Sequence, residues 1–133
     1  MGDYIAKSNI EDVFGIDNVA AWSDLTGAGV VDNARVTLAI TYAEGIINDS
    51  FRFGRYAIPF SPVPVVLADW CAKLAGVWLF FARPLYGKAR ESAEGFIDVR
   101  TMVFEEVNSY TSGRRKFAAT KGTEKGVDSP SVV

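Results

Sequence analysis

The chain has no histidine and a single cysteine, Cys71, among its 133 residues. Without histidine there is no His-based general base, no Ser-His or Cys-His nucleophile and no zinc site of the usual Cys/His type. One cysteine excludes an intrachain disulfide, and within the most apolar stretch it reads as an inert buried thiol. Glycine-rich phosphate cradles are missing too, because Gly27 and Gly29 lack the following glycine and lysine. The start, Met1-Gly2-Asp3-Tyr4, lacks the charged region and apolar run of a signal peptide. No internal repeat or strong strand alternation is visible. Prolines number only five, yet three of them, Pro59, Pro62 and Pro64, share one short turn.

What is present suits one helical domain. Hydrophobic residues make up 49% of the chain and aromatics 13%, enough for a single modest core. The formal charge of −2 hides an asymmetry. Residues 1–111 hold nine Lys/Arg against fourteen Asp/Glu, a net of −5, and residues 112–133 hold five against two, a net of +3. An acidic body with a basic end is not the basic face of an ordinary nucleic-acid-binding domain.

Ser8-Asn9-Ile10-Glu11 has the form of a capping box, which predicts a short helix from Ser8 to about Phe14, stopped by Gly15. A second short helix is expected from Asp17 to Trp22. Asp32 is a suitable N-cap for a longer one, in which Val36, Ile40, Ala43, Ile47 and Phe51 share a face and Arg35, Thr41, Glu44 and Asp49 lie largely off it. Gly54 is placed to end that helix in a left-handed conformation. Pro64 can open the next helix, whose inward stripe reads Leu67, Trp70, Leu74, Trp78 and Phe81, with Val77 and Phe80 to the side. Pro84 and Gly87 break it. A last helix is expected from Lys88 to Tyr110, with Phe96, Val99, Val103, Val107 and Tyr110 on one side.

The expectation is therefore an all-α bundle: two long helices, one intermediate, two short ones at the N-terminus. Residues 1–112 form the domain and residues 113–133, rich in Gly, Ser, Thr, Lys and Pro, form a mobile basic tail. The run Pro62 to Phe81 is apolar enough to suggest a membrane span. Its two charges, Asp69 and Lys73, sit mid-run, where each costs about 2.5–3.5 kcal/mol in a bilayer. Their i, i+4 spacing with the acid first favours a helical ion pair instead. A helix apolar nearly all round must be enclosed by its own chain or by copies of itself.

Few residues suggest chemistry. Asp24, Thr26, Ala28 and Asp32 have the alternation of a calcium loop, but Ala28 and Val30 supply no side-chain oxygen and the twelfth position is Arg35. Glu11-Asp12 and Glu105-Glu106 are adjacent on helices, so neither pair faces itself as an acid/base dyad. Two places suggest contacts. Arg55, Tyr56 and Pro59 follow the Gly54 stop: Arg55 suits free carbonyls at the helix end, Tyr56 can pack on the next helix, and the turn can also meet a neighbouring subunit. Arg114, Arg115, Lys116 and Phe117 form the basic cluster, read as a solvated tail, as a peptide ordering on a partner with Phe117 as anchor, or as a weak contact to DNA phosphates.

The runs Ala43-Glu44-Gly45-Ile46-Ile47-Asn48-Asp49-Ser50-Phe51, Gly54-Arg55-Tyr56-Ala57-Ile58-Pro59 and Pro62-Val63-Pro64 resemble the phage Mu-type head–tail connector family of small adaptor proteins. Tyr4-Ile5 before a short helix, a Gly-Ala-Gly-Val-Val-Asp turn, and an apolar helix with Cys71, Ala72 and Leu79 extend the likeness over residues 4–110. The resemblance implies a dodecameric homo-oligomeric ring in the virion neck, beneath the portal protein. Such a ring extends the DNA channel and docks a stopper or tail-completion protein. Genomic DNA passes through its lumen without sequence-specific binding. No enzymatic activity, cofactor, metal or membrane partner is expected. A small helical nucleic-acid-binding packaging or regulatory protein is the alternative, although residues 32–53 and 88–111 are mixed or acidic rather than basic.

Overall fold

The computed structural model describes residues 2–83 and 93–117, and the regular elements among them are five helices: α1 Lys7–Phe14, α2 Ile16–Ser23, α3 Asn33–Phe51, α4 Val65–Phe81 and α5 Ala93–Thr111. The all-α expectation holds. The expected start of the last helix, residues 88–92, lies outside the described residues.

Local chemistry sets the ends. α1 begins one residue before the predicted Ser8, with Ala6 rather than Ser8 at the cap. Asn9, not Glu11, closes the box: the Ala6 N–H donates to Asn9 Oδ1 at 2.8 Å and the Asn9 N–H donates to the Ala6 carbonyl at 3.0 Å. A short amide side chain three residues on satisfies the same orphan donor that a glutamate would. Gly15 ends α1 at φ +95°, a left-handed value that costs glycine little, and α2 starts at once. Ser23 then ties α2 to α3, donating to the Ala20 carbonyl and accepting from the Asp32 N–H at 2.9 Å. Asp32 caps α3 as predicted, accepting from the N–H groups of Ala34 and Arg35 at 3.0 and 3.3 Å.

α3 and α4 run antiparallel. Phe51, at the end of α3, stacks on Trp70 near the start of α4, and Arg35, at the start of α3, donates to the carbonyl of Ala82 just past α4. Gly54 does not adopt the predicted left-handed conformation. α3 instead unwinds through tight turns, the Arg52 N–H reaching Asp49 and the Gly54 N–H reaching Phe51. The chain then passes through Pro59, Pro62 and Pro64, with cis peptides before Pro59 and Pro62.

α4 is the centre, in contact with each of the other four helices. Burial runs nearly round it, as its composition predicts; the predicted stripe is nevertheless partly wrong. Val77 and Phe80, expected at the side, are buried, whereas Trp78 and Phe81 are only half-buried. Each of those two aromatics lies under a guanidinium, Arg35 at 5.3 Å from Trp78 and Arg100 at 5.7 Å from Phe81. With neighbours on several sides, a helix has no single inward stripe for periodicity to find. Close approach of α1 depends on Gly76, where an added Cβ would overlap the Phe14 ring. The Asp69–Lys73 pair forms at 2.8 Å along the exposed edge.

Candidate interaction surface

Two stretches chosen separately in the sequence, 55–59 and 114–117, meet at one end of the bundle. After α5, Gly113 reverses the chain at φ +85°. The Arg115 N–H returns to the Ser109 carbonyl at 2.9 Å, and the Phe117 N–H donates to the Tyr56 hydroxyl at 3.1 Å. Phe117 enters a cradle of five rings: Phe51, Tyr56, Phe60, Trp70 and Tyr110, with the Tyr56 and Tyr110 centroids 4.9 and 4.4 Å away. Such offset and edge contacts are the preferred aromatic geometries.

Two of the contact candidates lie inside the domain. Tyr56 and Phe117 are 1% and 6% exposed and pack within the chain. Phe117 is an anchor, but on its own domain. The folded body therefore continues past residue 112 to Phe117, while the remainder of the expected tail, residues 118–133, lies outside the described residues. Arg55, Pro59, Arg114, Arg115 and Lys116 stay at the surface, with the Arg55 guanidinium 5.8 Å from the Tyr56 ring.

Phe53 and Val65, at the two ends of the proline turn, are 94% and 88% exposed. At the end of α5 a cleft of about 290 Å³ is lined by Met102, Glu105, Glu106, Ser109, Arg114 and Arg115, whereas Val65 lines a separate one with Asn9, Asp12 and Val13. Glu106 serves the interior as well, accepting from the Trp70 indole N–H at 2.9 Å. Glu105 is exposed, so the adjacent pair is split between two environments, as helical geometry requires.

Sequence reasoning missed what holds this end together. Glu44, expected off the core face, is only 7% exposed. Its carboxylate accepts three backbone N–H bonds, from Asp3 at 2.9 Å, Tyr4 at 2.8 Å and Ile5 at 3.0 Å. Charge-assisted bonds of this kind offset the cost of removing a carboxylate from water. The Tyr4 hydroxyl donates to Asn48 and accepts from the Phe60 N–H at 3.0 Å, which joins the N-terminal segment, α3 and the proline turn. Burial raises the Tyr4 pKa above the ordinary value, the Phe60 bond opposing it. A signal was present: Glu44 lies four residues after Ile40 and three before Ile47, on the edge of the buried stripe.

Elsewhere the candidate chemistry is structural. Asp24 accepts from the Gly29 and Ala28 N–H groups at 2.7 and 2.9 Å, and those bonds hold its carboxyl below the usual range. The carboxylate thus folds its own loop. Burial, with a smaller contribution from the charge of Glu44, pushes the Cys71 thiol far up. Among the described residues no group of three or more His, Cys, Asp or Glu could hold a metal ion, and no helix is long and apolar enough to cross a membrane.

Comparison with known proteins agrees with the resemblance read from the sequence, at a coarser level. Residues 4–109 match the family described as Bacteriophage Mu, Gp36. No curated protein and no solved structure matches the chain. The match covers well over half of the sequence, and the chain belongs to the bacteriophage Mu Gp36 family.

Proposed function

We propose that this member of the Mu Gp36 family is a structural head–tail adaptor that catalyses no reaction. Copies form a ring in the virion neck, beneath the portal, which extends the DNA channel and docks the next neck or tail protein. The observation that carries the reading is the uncovered apolar surface at the proline-turn end, Phe53 and Val65 above all. Large apolar groups left in water on an otherwise well-packed domain favour burial against a partner, and a closed ring buries such a surface on every copy with no open end.

Charge suggests which helix faces the channel. On α3, Glu44 is consumed by the N-terminal amides and Asp49 is paired with Arg52 at 2.7 Å. On α5, Glu94, Asp98 and Glu105 are exposed. We assign the lumen to α5, because like charge keeps a phosphate backbone off the wall whereas fixed cations would hold it. The portal, the stopper and the twelvefold copy number are parts of the same proposal.

Electron microscopy of purified necks, with a label fused to the C-terminus of the full-length chain, tests it. A ring of label between head and tail is the expected result. Virions without the label at the neck, or normal tailed particles made without this gene product, would overturn the adaptor reading. Salt-sensitive duplex binding by the purified chain would favour a nucleic-acid-binding role instead.

A further inference from the structure

We infer that copies of this chain join through two unlike faces: the surface carrying Arg35 and Arg100 on one subunit docks on the α1–α4 cleft that holds Asp12 on the next. The inference rests on the ring reading for the presence of a neighbour, and it names the two surfaces that meet.

The first surface is an aromatic floor under two guanidiniums. Trp78 and Phe81 stand three residues apart on α4, so they are neighbours on one side of it, and both are half-buried. Arg35 of α3 lies over Trp78 and Arg100 of α5 over Phe81. Among the described residues neither cation meets a carboxylate. Arg35 donates from Nη2 to the Ala82 carbonyl at 3.3 Å, and its Nε finds no acceptor. Exposed apolar side chains flank the pair. Leu38 and Tyr42 rise from α3, with the Tyr42 ring 6.2 Å from Trp78, and Ile97 and Phe104 lie three before and four after Arg100 on α5. Arginine beside large aromatics is the composition that dominates binding at protein interfaces.

The second surface is a cleft of about 220 Å³ between α1 and α4, with Asp12, Val13, Val65 and Asp69 at its walls and Ala68 and Ala72 between them. Val13 and Val65 are exposed. Asp69 is already bridged to Lys73. The Asp12 side chain is exposed and, among the described residues, makes no hydrogen bond or ion pair.

These surfaces lie on opposite sides of α4. From Asp69 to Trp78, and from Ala72 to Phe81, is two and a half turns at about 3.6 residues per turn. One is cationic and aromatic, the other anionic and aliphatic, so each complements the other and neither complements itself. A two-fold dimer through the first would set guanidinium against guanidinium. Unlike faces on opposite sides instead repeat from copy to copy, and close as a ring when the rotation allows. Charge complementarity on an otherwise acidic body thus selects a second copy as the occupant.

The full-length chain carrying both Val13→Cys and Tyr42→Cys, assembled on purified heads, is treated with a short bis-maleimide. A ladder of covalently linked subunits is expected, and neither single-cysteine variant should give it. Rings seen by electron microscopy without that ladder would overturn the two faces and leave the ring standing. Absence of any ring would remove both. Charge reversal gives a second measurement, with helicity checked by circular dichroism. Asp12→Arg, at an exposed position, should raise the concentration for half-assembly by about tenfold or more. Adding Arg35→Glu and Arg100→Glu to the same chain should restore assembly. Unchanged assembly of Asp12→Arg, or no recovery in a triple variant that keeps its helicity, overturns the inference.

Discussion

The two ends of the bundle are both aromatic but are held in different ways. At the far end Phe14, Trp22, Phe80 and Phe96 pack ring on ring, Phe80 and Phe96 stacked at 3.9 Å. At the proline-turn end each of three aromatics also carries a directional bond: Tyr4 to Phe60, Tyr56 to Phe117 and Trp70 to Glu106. Stacked rings supply burial, which is strong but indifferent to small shifts. Tyrosine and indole handles supply position as well. The end that must fix three distant segments, the N-terminus, the proline turn and the strap of residues 112–117 after α5, is the one built with polar handles.

The comparison breaks most readily at Glu44. Glu44→Ala leaves three amides without an acceptor, or detaches the N-terminal segment and exposes Tyr4 and Ile5; either way about 3 kcal/mol of stability should be lost. Urea unfolding measures it, and a change below about 1 kcal/mol would show that water replaces the carboxylate freely. Gly76→Ala attacks the far end by overpacking against Phe14. A cost of about 1–3 kcal/mol for the clash outweighs about 1 kcal/mol of gained helix propensity. Adding Phe14→Ala should cancel the clash, visible as coupling in a double-mutant cycle.

Smaller effects sharpen the contrast. Tyr56→Phe keeps the ring and removes the acceptor for the Phe117 N–H. The expected loss is about 1 kcal/mol, with faster hydrogen exchange at that amide. Tyr4 tests the same logic through pH. Its folded pKa is raised above the ordinary 10.0, so the contribution is fully present below that value and declines as pH rises through the folded one. Stability of the natural chain should fall more steeply between pH 9 and 11, as about one unit either side of the reference, than that of Tyr4→Phe. Equal slopes would remove Tyr4 from the account. Asp24 gives the smallest effect and the opposite sign. Its pKa is lowered from 3.8, so its support of the loop is present above that value and is lost as pH falls through the folded one. The Ala28 and Gly29 amide resonances should move in that acid window, and should not move in Asp24→Asn.

Much of the fold was legible because helices announce themselves locally. The Asp32 cap, the Val36-to-Phe51 face and the Asp69–Lys73 pair each depend on residues within a turn or two of each other, and each formed as expected. The site was legible only in pieces. Arg55, Tyr56, Pro59 and the 114–117 cluster drew attention by composition, yet nothing local said that they meet, or that Phe117 faces inward. Glu44 was misplaced because a carboxylate looks like a solvent-facing group until its donors, some forty residues away, are known.

Alone, the amino-acid order determined the helical class, most helix ends, the need to enclose α4 and the family to which the chain belongs. Those properties follow from side-chain period, capping groups and apolar content, all short-range quantities. Tertiary structure decided that Glu44 is a buried clamp, that Val77 and Phe80 rather than Trp78 and Phe81 go fully inside, and that the strap closes on the proline turn. The reason is common to all three: a polar or aromatic group is settled by whichever partners arrive from distant parts of the chain, and only the folded molecule brings them.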